Sequence, residues 1–416
     1  MSAVRYGLAP LPGPACCHDR ADTVLAREGS AFVRIAFLIR ALGLGGAERQ
    51  MVYLATGLAQ RGHQVVVFAF YAGLPDRERS LNEGGVELVL LGKRGRWDVC
   101  GFVAGMRAAL IRHAPDVLYS FLPSSNVIAA LVRPRHAPLS LVWGVRASNV
   151  RRDSYDWLGW LISHIERWMA GVPEWVVANS LAGLNLCLER GFRPARLSYV
   201  PNGVDTELFR LDPLAGSGLR AKWDLSGLII GFAGRLDPMK GLGDLLTALS
   251  RADGALARAN LVIAGGGSER YTSRLQAQAA ELGLARRVHW LGPVGEMTAF
   301  YNAIDILCLP SAYGEGTSNV LAEALACGCP CVATAVGDSA ALVEFEPFVA
   351  CPEDSADLLR ALTAAVGLIP GLQRDALRTR ISDKLAWPAV IRETERVLLQ
   401  AVDLRRNFSG ADGASP

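Results

Sequence analysis

Four side chains carry most of the chemistry this sequence can offer. Arg235 and Lys240 share the segment GRLDPMKG, and Glu315 and Glu323 share GEGTSNVLAEALACGCPCVAT. The basic pair directly follows LIIGFAG, residues 228–234, an apolar run that reads as a strand. Open α/β sheets bind ligands in loops at the carboxyl ends of their strands. A guanidinium can grip a diphosphate through two parallel hydrogen bonds, and an ammonium adds a point charge. Residues 310–338 read as a polar loop, a helix from about Asn319 to Cys327, a stop at Gly328 and Pro330, and the short strand CVATA. The N–H groups of that first helical turn, near Ser318, Asn319 and Val320, make an anion site. Glu315 lies in the loop before it and Glu323 about one turn in. A nucleotide-sugar, with phosphate at one end and hydroxyls at the other, suits this arrangement. Taken singly, two basic loop residues or two glutamates are more simply read as solvated groups. The full string argues for chemistry.

That string resembles the E-x7-E signature of retaining glycosyltransferases of family 4, which have the GT-B fold. GR-x4-K resembles the family's diphosphate clamp, and PNGVD at 201–205 resembles its domain boundary. The resemblance spans residues 33 to 405. It implies that Glu315 contacts the donor sugar and Glu323 the ribose, with Arg235 and Lys240 on the diphosphate. Gly234, Gly316, Thr317, Ser318, Asn319 and Val320 would complete the donor site, and Gly292 and Val294 would lie near the base. Gly45 and Gly46, in the loop ALGLGGAER, would face the diphosphate across the cleft. Retention of configuration is further implied, by a front-face route in which the leaving phosphate helps take the acceptor proton. The donor would be a UDP- or GDP-sugar, with no other cofactor. WGVRAS, around Arg146, resembles a subgroup associated with bacterial surface polysaccharide assembly, so the implied acceptor is a glycan or a lipid-diphosphate-linked sugar.

One departure matters. Many members carry a His after the strand matching DVLYSF, whereas this chain has Ser120-Phe121-Leu122-Pro123. Ser120, Asn126 and Arg146 are the candidates to assist the acceptor instead. Among the six histidines, His63 reads as a turn residue and His289 as a packed core residue. His136 and His164 have no assigned place. The chain contains no Asp-x-Asp and no His pair at ligand spacing, so metal-independent chemistry is expected, with Arg235, Lys240 and helix N–H groups stabilising the departing phosphates.

These residues need a scaffold. Strands are predicted at 33–40, 64–70, 86–91, 116–121, 139–144, 175–179 and 197–200, with helices at 47–60, 99–113, 125–133, 155–170 and 180–190. The stretch from 201 to about 226 reads as a linker. The pattern then restarts, with strands at 228–234, 261–267, VHWLG, ILCLP and CVATA, and helices after GRLDPMKG and at 269–283, 296–303, 319–327, 354–366 and over most of 374–402. Such alternation means parallel sheets covered on both faces. The expected architecture is α/β, GT-B, two Rossmann-like domains. The expected boundaries are a disordered extension at 1–32, an acceptor domain at 33–205 with a helix at about 388–405 packing back on it, a nucleotide-sugar domain at 206–387, and a disordered tail at 406–416.

Composition narrows the alternatives. A chain of 416 residues, 51% of them hydrophobic, implies two domains with large cores. A net charge of +3 gives no argument for nucleic acid. Nine cysteines without a framework fit a reducing cytosol. Cys327, Cys329 and Cys331 straddle a helix end and a strand and read as packing; Cys16 and Cys17 read as incidental. No apolar run approaches a membrane span, and no h-region is evident near the start. From Val117 to Arg152 there is no acidic residue, while Arg133, Arg135, Arg146, Arg151 and Arg152 are basic. Beside them Trp157, Leu161, Ile165 and Trp168 share a helical face. Peripheral contact with the anionic inner membrane is one reading; a solvated charge run beside a core-facing stripe is the preferred one. For function, an epimerase of the same fold would need acid/base residues that are not identifiable, and a non-catalytic nucleotide-sugar-binding protein would not require all four charges. An NAD-dependent oxidoreductase lacks its Gly fingerprint in both halves.

Overall fold

The computed structural model describes residues 32–411 except 44, 96–97, 99, 135–137 and 147–156. Residues 1–31, with Cys16 and Cys17, lie outside the described residues, as do Arg135, His136, Arg151, Arg152, Tyr155 and residues 412–416. The chain divides into two compact units. One holds the described residues up to Pro201 together with the last helix, and the other is Asn202–Ala386.

The first unit runs β1 (Arg34–Ile39), α1 (Gly46–Gln60), β2 (Gln64–Ala69), α2 (Pro75–Glu83), β3 (Glu87–Leu90), α3 (Cys100–His113), β4 (Val117–Phe121), α4 (Pro123–Val132), β5 (Ser140–Val145), α5 (Trp157–Trp168), β6 (Trp175–Ala178), α6 (Leu181–Glu189) and β7 (Leu197–Tyr199). Its seven strands are parallel, in the order β3-β2-β1-β4-β5-β6-β7. Central β1 sets Phe37 opposite Val67 on one side and Tyr119 on the other. Ile35, Phe37 and Ile39 enter one core with Met51, Leu54 and Leu58 of α1. Ala36 and Leu38 enter the opposite core with Phe102, Met106 and Leu110 of α3. Both parities of the strand are therefore apolar, which is why the run is continuous rather than alternating.

The second unit runs α7 (Pro213–Trp223), β8 (Ile229–Ala233), α8 (Leu242–Ser250), β9 (Asn260–Ala264), α9 (Glu269–Glu281), β10 (Val288–Gly292), α10 (Met297–Ala303), β11 (Ile306–Leu309), α11 (Asn319–Ala326), β12 (Cys331–Thr334), α12 (Ser339–Val343), β13 (Val349–Ala350), α13 (Ser355–Leu368) and α14 (Arg374–Leu385). Its six strands are parallel, in the order β10-β9-β8-β11-β12-β13. Each sheet thus reverses its strand order beside its first strand, between β1 and β4 and between β8 and β11. The last helix, α15 (Trp387–Ala411), returns to the first unit. Trp387, Val390, Val397 and Leu398 join the α1 core, and the Trp387 ring stacks on Tyr53 with centroids 4.9 Å apart.

Several expectations are corrected. The stretch read as a linker contains α7, capped by Asp212, whose carboxylate accepts from the Ala215 N–H at 3.0 Å, with Pro213 in the first turn. α2, α12 and β13 were not expected. The predicted disordered tail is helical as far as Ala411. His63 is more than a turn residue: it is buried, with Nε2 2.7 Å from Glu395 Oε1, and Arg61 Nε donates to Glu395 Oε2 at 2.8 Å. His289 is only half-buried, paired with Asn260 Oδ1 at 3.1 Å, and burial lowers its pKa. His164 is exposed on α5.

The expected core-facing stripe of α5 does not face a core. Trp157, Leu161 and Trp168 are 61%, 39% and 86% exposed, and the one fully buried residue of the helix is Glu166. Nor is the neighbouring charge all solvated. Arg133 is largely buried and donates to Glu174 Oε1 at 2.7 Å. Cys308, Cys327, Cys329 and Cys331 are buried, and burial pushes the Cys327 and Cys329 thiols up to about 12. Among the described residues no single helix is long and apolar enough to cross a membrane.

Candidate functional site

Strand β8 ends at Ala233, and Gly234 and Arg235 follow at the carboxyl edge of the second sheet. Arg235 is well exposed, with Nε 3.4 Å from Asp237 Oδ2. Asp237 in turn accepts from the Met239 N–H at 3.0 Å and shapes the short turn that presents Lys240. Gly241 then starts α8 with φ 63°, and a Cβ there would overlap the Pro310 carbonyl oxygen. Only glycine permits this approach. It brings the Lys240 loop against the 310–318 loop, where the Ala312 N–H donates to the Met239 carbonyl at 2.8 Å.

That packing joins two of the charged residues singled out by spacing. Lys240 Nζ donates to Glu315 Oε1 at 2.5 Å, with the two side chains only 14% and 8% exposed. The same oxygen accepts from Ser311 Oγ at 2.5 Å. Ser311 is itself pinned, because its carbonyl accepts from Thr334 Oγ1 at 2.5 Å. Gly337, with φ 58°, sits where a Cβ would overlap the Glu315 and Gly316 carbonyls, and the next N–H, of Asp338, donates to Gly316 O at 3.2 Å. The loop carrying Glu315 is therefore held from β11, β12 and α8 at once.

Ser318 caps α11, its hydroxyl accepting from the Leu321 N–H at 3.4 Å. Thr317 and Ser318 are buried and Asn319 and Val320 half-buried at this helix tip. Glu323, one turn into α11, is 4% exposed and accepts at Oε2 from the Tyr301 hydroxyl at 2.9 Å. Tyr301 is wholly buried among Phe209 and Phe300. Gly292 closes β10 and its carbonyl accepts from the Gly265 N–H at 2.8 Å; Val294 is half-buried in the loop beyond. In chemical terms this edge offers an exposed guanidinium, an ammonium already neutralised by a carboxylate, a capped helix end and a second buried carboxylate.

In the first unit, Gly45 caps α1 and the Glu48 carboxylate folds back over it, close enough that a Cβ on Gly45 would overlap Glu48. Gly46 begins the helix. Ser120 and Asn126 are fully buried. Ser120 Oγ donates to Asn126 Oδ1 at 2.7 Å, and Asn126 Nδ2 donates to Glu166 Oε1 at 2.7 Å. Burial raises the Glu166 pKa, opposed by the Asn126 hydrogen bond and by Arg190, whose Nη1 lies 3.9 Å from Oε2. The expected acceptor-side role of Ser120 and Asn126 is therefore not one of surface groups, since their hydrogen bonds point inward. Arg146, just past β5, is half-buried; its Nη2 donates to Tyr119 OH at 2.7 Å and its guanidinium lies 4.1 Å from the Phe121 ring centroid. Burial lowers its pKa, with Tyr119 opposing.

Spacing did not reveal Ser311, Thr334, Tyr301 or Glu166. For Glu166 a signal existed, since it is the one acid in an otherwise apolar and basic helix. Among the described residues no group of His, Cys, Asp and Glu is arranged to hold a metal ion.

Two family models match. Residues 227–367 fit "Glycosyl transferases group 1" and residues 44–208 fit "Glycosyltransferase Family 4". A D-inositol 3-phosphate glycosyltransferase of Acidothermus cellulolyticus is 33% identical over 369 residues, covering 77% of this chain and 80% of the relative. One from Mycobacterium marinum is 29% identical over 379 residues, covering 81% and 78%. The chain belongs to glycosyltransferase family 4, and it is a transferase with the GT-B fold. Among solved structures, Anabaena HepE in complex with UDP and glucose aligns with a TM-score of 0.75 at 22% identity, covering 88% of this chain and 99% of that one. WaaG, a glycosyltransferase involved in lipopolysaccharide biosynthesis, aligns with a TM-score of 0.62 at 18% identity, covering 89% and 99%.

Proposed function

We propose that this chain is a retaining transferase that moves a sugar from a UDP- or GDP-linked donor to a glycan or lipid-linked acceptor in polysaccharide biosynthesis, without a metal. The observation that carries the reading is the Lys240–Glu315 pair beside the tip of α11. Glycosidic cleavage puts charge on the departing diphosphate, and Arg235, Lys240 and the helix N–H groups are preorganised donors for it. Glu315 takes the sugar hydroxyls and Glu323 the ribose. The solved complexes of HepE with UDP, and with UDP-glucose, support a nucleotide-sugar donor. The absence of any Asp-x-Asp in the sequence supports chemistry without a metal.

On the acceptor side, Arg146 supplies a cation held by Tyr119 and Phe121. It suits a phosphorylated or diphosphate-linked acceptor, and the inositol phosphate of the named relatives is a second candidate of that chemistry. The exposed face of α5 supports peripheral contact with an anionic membrane at the cytoplasmic side. Failure to sediment with anionic vesicles at low salt would remove that contact.

Incubation with UDP- and GDP-sugars, with EDTA present, tests the central reading. Slow donor hydrolysis, accelerated by an acceptor and giving a product of retained configuration, is the expected result. An epimerised donor would make the chain an isomerase, and binding without turnover a scaffold. Activity abolished by EDTA would overturn the metal-independent chemistry.

A further inference from the structure

The PNGVD segment contains a buried side chain that a turn does not require. Asn202 is 6% exposed. Its amide Nδ2 donates to the Thr317 carbonyl oxygen at 2.9 Å and to Asn319 Oδ1 at 2.9 Å. Both acceptors lie at the tip of α11. The Thr317 carbonyl and the Ser318 N–H belong to one planar trans peptide, so a carbonyl held toward Asn202 turns that N–H the opposite way.

The far end of α11 is tied to the same segment. Arg378 on α14 donates to the Ala326 carbonyl at 2.8 Å, and to the carbonyls of Thr206 and Phe209 at 2.7 Å each. Val204 completes the arrangement: its N–H donates to the Leu385 carbonyl at 2.8 Å, and it bridges Ala386. Residues 202–209, where the chain enters the second unit, are thus bonded directly to the tip of α11, through Arg378 to its far end, and to the point where the chain leaves for α15.

We propose that Asn202 is a positioning residue for the donor phosphates, fixing the peptide planes whose N–H groups form the tip of α11. The proposal rests on the reading of that tip as the diphosphate site. Asn202 touches no reacting atom; it acts through the peptides it holds. Its loss should therefore weaken nucleoside diphosphate binding more than it weakens the fold.

The test is calorimetric titration of UDP and of GDP into the full chain, taken as wild type, N202D and N202A, with a melting curve for each. N202D keeps the shape but turns oxygens toward two acceptors. About a tenfold or larger rise in Kd is expected for it, for whichever nucleotide binds the wild type. At lower pH a protonated Asp regains one donor, so the ratio of its Kd to that of wild type, compared at each pH, should shrink. N202A should weaken binding without that pH response. Variants that melt earlier but bind as wild type, with a flat ratio, would make Asn202 merely structural and overturn the proposal. Wild type that binds neither nucleotide would instead overturn the donor-site reading, and the proposal with it.

Discussion

The carboxyl edges of the two sheets use polar groups in opposite ways. At the second sheet, Lys240 and Glu315 neutralise each other while keeping some exposure, and each sits in a loop fixed by backbone and hydroxyl hydrogen bonds. At the first sheet, Ser120, Asn126 and Glu166 form a chain that runs inward and ties α4 and α5 to β4. On the proposed reading, the first arrangement keeps charge where the donor can displace or extend the pairing. The second spends its polarity on specifying how helices pack. Loss of charge at the second edge should therefore reach turnover, and loss of charge at the first should reach stability.

Lys240→Ala breaks that contrast hardest. It removes a cation of the proposed clamp and leaves the Ser311 hydroxyl donating to Glu315 Oε1 at 2.5 Å. Turnover of the nucleotide-sugar should fall about a hundred- to a thousandfold, the usual cost of one preorganised donor. Melting followed by circular dichroism should stay cooperative. Wild-type turnover in this variant would mean the Lys240–Glu315 pair is structural only. Lys240→Arg, which keeps charge but not shape, should fall between the two.

Tyr301→Phe sharpens the picture from within the second edge. The hydroxyl contributes one hydrogen bond to Glu323 and the ring stays packed on Phe300. Donor KM should rise about tenfold with kcat little changed, as expected where an interaction is equal in ground and transition states. Steady-state kinetics in donor concentration would show it. A fall in kcat at constant KM would place Glu323 in the chemical step rather than in ribose binding.

What could be read beforehand followed from physics rather than from luck. Strands covered on both faces are continuous apolar runs, so β1, β2, β4 and β8 stood out. Helices α2 and α7 did not, because each buries one residue, Leu81 and Gly216 respectively, and so has no apolar period. Their signals were local: Pro75 and Pro213 in the first turns. For α5 the period was right and the face was wrong, since periodicity says which residues share a side but not what covers it. In the candidate site, spacing singled out Lys240 and Glu315. It could not single out Ser311 or Thr334, whose part depends on β11 and β12 lying side by side. Tyr301 looked like any core aromatic until its hydroxyl had a partner.

Glu166→Gln gives the smallest effect and the clearest sign. Burial raises the Glu166 pKa above its ordinary 4.5, so the folded chain holds that proton more tightly than the unfolded one. Its contribution to stability is fully present below the unfolded value and is lost as pH rises through the folded value. Asp116 behaves oppositely. Burial raises its pKa, but hydrogen bonds from Arg34 outweigh this and leave it lowered, so its contribution is present above its unfolded value and lost as pH falls. Glutamine keeps an oxygen for the Asn126 amide and cannot titrate. The Tm of Glu166→Gln relative to wild type should therefore climb as pH goes from about 4 to 8, by a few degrees, each ~1 kcal/mol being worth roughly 2–4 °C in a domain of this size. Asp116→Asn should lose stability mainly at neutral pH. A flat or falling difference for Glu166→Gln would mean that the carboxylate is ionised in place with Arg190, and that the first edge holds a working charge after all.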